Sequence, residues 1–203
     1  MTPEFYPLAK THGPNMKVQG NYPLLWPEGA VIHYTGSSSL AGTFKAAFDN
    51  QFCFYLIDRN GDIYQRFKSH EWGFHAGQSI CPKTKRNFVH RFYAGIEIES
   101  FGKLTEEKEI YKTYFGRKIE KNLVRKVLKD EDESRIGSWE KFTKAQETSL
   151  INLLTWLHSS NPNVFHMEQV FAHHEVSPKR KIDVGGCLSY SMKSFRDLLI
   201  GSV

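Results

Sequence analysis

Cysteine is scarce in this chain: Cys53, Cys81 and Cys187 are the only three in 203 residues, an odd count with no Cys-x-x-Cys spacing. That excludes a disulfide framework and a cysteine-rich zinc module, and it predicts buried free thiols. No apolar run is long enough to span a bilayer as a helix, so no transmembrane segment is expected. From Met1 to Lys17 prolines and charges interrupt any apolar core, and no secretory signal is expected there. Internal repeats and low-complexity tracts are also missing. The net charge of +5 is mild, and basic residues alternate with acidic ones over 103–109 and 126–133, as on a solvated surface. No cluster of Lys and Arg with interleaved aromatics stands out on one face, which argues against a nucleic-acid partner. The small positive excess still favours approach to an anionic polymer.

What is present suits a globular domain. The chain is 40% hydrophobic and 14% aromatic, and its length fits one domain with a full core. Residues 1–28 carry Tyr6, Tyr22, Trp26 and several prolines, and read as an N-terminal arm packed on a domain over 29–203. Ala30 to Tyr34 reads as a buried strand, followed by a Gly36–Ser39 loop that caps a helix carrying Phe44, Ala47 and Phe48. Asn60-Gly61 between the apolar runs 53–57 and 63–67 predicts a hairpin. Residues 94–99 alternate with period two and read as a strand. Thr143 and Gln146 form a capping box ahead of a stripe of Leu150, Ile151, Leu153, Leu154 and Leu157. Val170 to Ala172 reads as a further strand. An amphipathic helix with Met192, Phe195, Leu198 and Leu199 closes the chain. The expectation is one α/β domain, a mixed central sheet flanked by helices. A charged stretch over about 102–139 reads as an insertion holding one amphipathic helix with Ile119, Leu123, Val124, Val127 and Leu128.

The chemistry concentrates in two places. Val31-Ile32-His33 ends an apolar strand in a histidine, where α/β folds place ligands. The segment 172–183 reads as a strand end followed by a loop, and carries His173, Lys181 and Asp183. Two imidazoles and one carboxylate leave a tetrahedral zinc with an open position, the mark of a catalytic site. Taken singly, each histidine also fits the edge of a core. Asp183 stands close to Lys179, Arg180 and Lys181, which keep a carboxylate ionised as a ligand must be. Lys181 shares a face with Asp183 in extended backbone, placed to stabilise an oxyanion or simply to pair with an acid. Glu97 has apolar neighbours in its strand and suits acid/base work beside a metal-activated water. Glu99 has the same parity, so alternation does not choose between the two.

Five segments together resemble a known family: Val31–Thr35, Tyr55–Ile63, Trp72-Gly73-Phe74-His75-Ala76-Gly77, Gly95–Glu99 and His173–Gly185. In that order they resemble the type 2 N-acetylmuramoyl-L-alanine amidases, a family that includes phage lysins and peptidoglycan recognition proteins. The resemblance implies one Zn2+ per chain on His33, His173 and Asp183, with Glu97 and Lys181 catalytic and His75 and Tyr34 on the substrate. It implies hydrolysis of the amide between N-acetylmuramic acid and the L-alanine of the stem peptide. A non-catalytic module that only binds peptidoglycan is the rival reading. The expected partners are peptidoglycan or muropeptides, the expected state a monomer. The expected setting is cytoplasmic synthesis with action on the bacterial wall, as a phage lysin or delivered enzyme, or on cytosolic muropeptides. Two features depart from the family. Val184-Gly185-Gly186-Cys187 replaces its Pro-Gly-Pro, which implies a less rigid loop and makes Cys187 an alternative ligand. Cys53 stands where some lysins carry a tyrosine, which favours the glutamate mechanism.

Overall fold

The structure is a computed structural model that describes residues 2–11, 15–37 and 39–202. In chain order the elements begin with β1 (Gly20–Asn21), β2 (Gly29–Tyr34), α1 (Leu40–Asp49), β3 (Tyr55–Ile57), β4 (Ile63–Tyr64) and β5 (Glu71–Trp72). Next come β6 (Tyr93–Ile98), β7 (Lys103–Glu107), β8 (Ile110–Lys112), β9 (Lys118–Ile119), β10 (Val124–Val127) and β11 (Gly137–Glu140). The chain ends with α2 (Lys144–Ser160), β12 (Val170–Ala172), α3 (His173–Val176) and α4 (Met192–Ile200).

The central sheet has the order β12-β2-β6-β3-β4. Its first four strands are parallel, and β4 closes the edge antiparallel through the Asn60-Gly61 turn. Parallel strands are covered on both faces, which is why Gly29–Tyr34 and Tyr93–Ile98 are almost continuously apolar. Side chains of alternate parity divide between two clusters. Ala30, Ile32, Ala94, Ile96, Ile98, Val170 and Ala172 meet the buried faces of α2 and α4. Val31, Tyr93 and Phe171 point the other way, to Ala76, Cys81, Val89 and Val176. Helices thus cover one face and the 74–92 segment covers much of the other.

Local signals account for the helix starts. Ser39 caps α1 through Gly42 N–H, and Thr143 and Gln146 form the expected capping box of α2. Ser38 of the capping loop lies outside the described residues. Leu150, Leu153, Leu154 and Leu157 are fully buried, whereas Phe48 is exposed. In the N-terminal arm Tyr6, Met16, Tyr22 and Trp26 are buried, and the indole of Trp26 donates to Leu157 O at 2.9 Å. Cys53, Cys81 and Cys187 are buried free thiols. No helix among the described residues is long and apolar enough to cross a membrane.

The insertion departs from expectation. The amphipathic helix expected around Ile119 to Leu128 is not there; the segment belongs to an antiparallel sheet of order β10-β11-β7-β8-β9. Val124 to Val127 pairs residue for residue with Glu140 to Gly137. Ile119, Val124 and Val127 are β-branched and favour a pleated surface once a partner strand exists. Leu128, at the end of the supposed apolar stripe, is 77% exposed.

Candidate metal centre

Sheet register brings the site together. Ala172 pairs with Ile32, and Ile32 with Ile96. The next residue on each chain is therefore His173, His33 or Glu97, level with one another at the carboxyl ends of three adjacent strands. That is where open α/β sheets gather ligands. After β12 the chain makes one helical turn, α3, where a loop was expected. Glu175 causes this by accepting from Ala172 N–H at 2.8 Å, and Arg196 of α4 holds Glu175 through two 2.9 Å contacts.

His33, His173 and Asp183 converge, and they are the group of potential metal ligands found among the described residues. His33 Nδ1 and His173 Nδ1 are 2.8 Å apart, and Asp183 Oδ2 lies 3.2 Å from the first and 2.9 Å from the second. Ligand atoms 2.0–2.1 Å from a tetrahedral ion stand about 3.3 Å from one another. The triangle is therefore close to what zinc requires.

The protons on the imidazoles support the same fit. His75 Nε2 faces the carbonyl of Tyr93 at 3.0 Å, so it must donate. Neutral His75 then accepts at Nδ1 from His33 Nε2–H, 3.2 Å away. His173 Nε2–H donates to Ala76 O at 3.2 Å. Both Nδ1 atoms are left as bare lone pairs facing one another, an arrangement that a cation stabilises. Burial and the neighbouring His173 push the pKa of His33 down to about 4, and burial with its histidine neighbours lowers that of His75. Burial opposes ionisation of Asp183, but a proton carried on either Nδ1 and donated to its carboxylate outweighs that and holds the carboxyl well below the usual range.

A cavity of about 420 Å³ opens over this triangle, lined by Tyr34, Phe52, His75, Glu97, Lys181 and the three converging residues, among others. Glu97 is half-buried, and its Oε2 is buried without a hydrogen-bond partner. Burial, reinforced by the Asp183 charge and opposed by Lys181, raises its pKa to about 8. Glu99 lies past the end of β6 and is held by Arg59, whose backbone N–H is 3.3 Å from Oε2. Lys181 and Asp183 line the same cavity, as their spacing suggested. His75 reaches the site over Gly95, where a Cβ would stand 2.6 Å from its ring. Cys187 is absent from the ligand group; its thiol lies 3.9 Å from Ser100 Oγ, and burial pushes its pKa up.

The sequence profile of N-acetylmuramoyl-L-alanine amidases matches residues 23–186. The chain belongs to that family. Its fold is that of several solved amidases. A selenomethionine derivative of AmpD is 20% identical with a TM-score of 0.59, covering 96% of each chain. AmiD from E. coli, solved with anhydro-N-acetylmuramic acid-L-Ala-D-gamma-Glu-L-Lys, is 22% identical with a TM-score of 0.58, covering 85% of this chain and 58% of that one. The endolysin LysCS from Clostridium intestinale URNW is 16% identical with a TM-score of 0.57, covering 97% and 98%. No curated protein matches the chain.

In this amidase several supporting residues escape a reading of the sequence. Arg180 donates to Ala76 O, Gln78 O and Ser177 Oγ, each at 2.7 Å, and ties the His75 segment to the loop that carries Lys181. His174 anchors Asp183 through its backbone N–H, 2.8 Å from Asp183 O, and its Nδ1 contacts the same oxygen. Trp139 of β11 packs under Gly185 and Gly186, and Arg125 of β10 donates to Gly186 O and Cys187 O at 3.0 and 2.7 Å. The loop after Asp183 is thus braced by the insertion, where the missing Pro-Gly-Pro implied a looser one. Its only advance signal was a tryptophan stranded in a charged segment.

Proposed function

We propose that this amidase hydrolyses the amide between N-acetylmuramic acid and the L-alanine of the stem peptide, using one zinc ion held by His33, His173 and Asp183. The observation that carries the reading is the unpartnered Glu97 Oε2 in the same cavity as a three-atom ligand set with one side open. Zinc bound there supplies Lewis acidity, polarising the scissile carbonyl and lowering the pKa of water. Glu97 takes a proton from the attacking water and passes it to the leaving alanine nitrogen; burial raises its pKa to about 8, so the proton, once taken, is held for the leaving group. The ammonium of Lys181 balances the oxyanion formed as the carbonyl becomes tetrahedral. His75 holds His33 in the tautomer that presents Nδ1, and Tyr34 forms part of the wall that meets the substrate. A neighbouring groove of about 760 Å³ shares Arg180 with the site and offers room for the stem peptide. A monomer acting on wall peptidoglycan or on released muropeptides fits these features.

The test is zinc content together with release of L-alanine amino termini from purified peptidoglycan, with and without a chelator. One zinc per chain and chelator-sensitive release are expected. Stoichiometric zinc and retention on peptidoglycan without release would replace the enzyme with a binding module. Absence of zinc would overturn the ligand assignment.

A further inference from the structure

The turn between β8 and β9 presents two aromatic side chains to solvent. Tyr114 is 92% exposed and Phe115 62%, whereas Phe101, Leu104 and Tyr111 of the same sheet region are buried. The two rings stand edge to face, with centroids 5.6 Å apart. Single exposed apolar side chains need no explanation, whereas contiguous exposed apolar surface marks interaction sites.

The tip is rigidly founded. Thr113 N–H donates to Arg117 O and Gly116 N–H to Thr113 O, both at 2.9 Å, and Arg117 N–H also reaches Thr113 Oγ1 at 3.2 Å. The guanidinium of Arg117 lies 5.4 Å from the Phe101 ring, and that of Arg59 lies 5.3 Å from it. Phe101 N–H is fixed in turn by Glu140, which also holds Arg59 in a two-pronged contact. The backbone that carries the aromatic pair is therefore held in place, so less ordering is needed on binding.

Its position follows from the contact at its foot. Arg117, which closes the turn, lies against Phe101, the residue before Gly102. At Gly102 a Cβ would stand 2.3 Å from the ring of Tyr34, and Tyr34 lines the metal cavity. The tip thus stands at the rim of the site, on the side of Tyr34. Arg117 and Lys118, both exposed, follow the rings in the chain, and Lys112 before them lies 3.8 Å from Glu107.

We propose that Tyr114 and Phe115 form a platform for the glycan strand of the wall, stacking on sugars beside the muramyl residue being cut. The proposal rests on the amidase reading for its choice of polymer. The C–H faces of a pyranose are apolar and slightly positive, the complement of an aromatic face. Arg117 and Lys118 suit the carboxylates that a peptidoglycan strand carries. A small muropeptide held in the cavity has no need of such a platform, whereas a long polymer extends across the rim.

The experiment compares the full chain with a Tyr114→Ala/Phe115→Ala variant, checked for an unchanged melting temperature, on immobilised glycan strands stripped of peptide. The variant should bind about tenfold more weakly, the loss expected from about 1.4 kcal/mol of aromatic stacking. A Tyr114→Phe variant should keep the wild-type affinity. The ratio of kcat/KM on intact wall to kcat/KM on a soluble muropeptide should fall by a similar factor. Wild-type and doubly substituted proteins that bind the strands equally, or a wild type that does not bind them, would overturn the proposal. So would a variant that loses attachment to anionic lipid vesicles while keeping the glycan, since the tip would then be a membrane contact. Binding is read without turnover, so the two readings fail separately. Tip-dependent glycan binding without release of L-alanine amino termini would sink the amidase reading alone.

Discussion

Trp139 and Gly185 are packed so closely that a Cβ on the glycine would lie 2.2 Å from the indole. Gly185 also has a φ of +52°, a conformation that side chains with a Cβ rarely adopt. One contact therefore joins the insertion sheet to the loop that presents Asp183, two residues away. Gly185→Ala should lower folding stability by about 2–4 kcal/mol through overpacking and strain together. Trp139→Ala should cost about 3–5 kcal/mol by leaving a cavity. Both should also weaken zinc binding. Urea unfolding and metal titration would check this; wild-type metal affinity in a folded Trp139→Ala protein would show that the brace does not reach Asp183.

Glu97→Gln keeps the shape of the side chain and removes its ability to exchange a proton. Folding and zinc content should stay at wild-type levels, and turnover on muropeptide should fall by about 100- to 10,000-fold. Steady-state kinetics with metal analysis separates the two effects. Activity within a few-fold of wild type would remove Glu97 from the reaction. The same substitution at Glu99 should cost far less turnover, because that carboxylate is engaged with Arg59.

Asp183→Ala should abolish stoichiometric zinc, whereas Cys187→Ala should retain it, because the thiol faces Ser100. His75→Phe leaves His33 without the acceptor that sets its tautomer, and zinc affinity should drop about 10- to 100-fold. Competition with a chromogenic chelator measures all three. Zinc lost from Cys187→Ala but kept by Asp183→Ala would reverse the assignment.

His90 sits 4% exposed against Trp72, Phe74 and Phe88, with its Nδ1 unpartnered. Burial, with help from the Arg91 charge, lowers its pKa from 6.5 to about 4. Folded protein therefore binds this proton less readily than unfolded protein. The stability that results is fully present above pH 6.5 and is lost as pH falls towards 4. Between pH 7.5 and 5 this one residue should account for about 2 kcal/mol. His90→Phe should flatten the pH dependence of urea unfolding by that amount; an unaltered slope would mean that His90 does not titrate in this window.

Much of the site was legible because local sequence carries it. An apolar run that stops at His33, a strand that stops before His173, and a carboxylate ten residues on are statements about single segments. So are the Asn60-Gly61 turn and the Thr143 capping box, whose hydrogen bonds close within a few residues. The insertion was misread because its periodicity is ambiguous over a short stretch. Ile119, Val124 and Val127 satisfy a helical spacing and are also β-branched, and only pairing with Gly137–Glu140 decides between the two.

The sequence by itself determined which donors this amidase has to offer and where the strands of its central sheet lie, because period, capping and turn chemistry act between near neighbours. It left Glu97 and Glu99 equivalent, since both have the same parity. Tertiary structure separated them: the parallel register of β2 and β6 sets His33 against Glu97, and Arg59 claims Glu99 beyond the strand end. It also decided that Asp183 rather than Cys187 meets the histidines and that Trp139 braces the loop between them. Apart from the ten-residue step between His173 and Asp183, those outcomes depend on contacts between residues 40 to 150 positions apart, and no local pattern encodes such a distance.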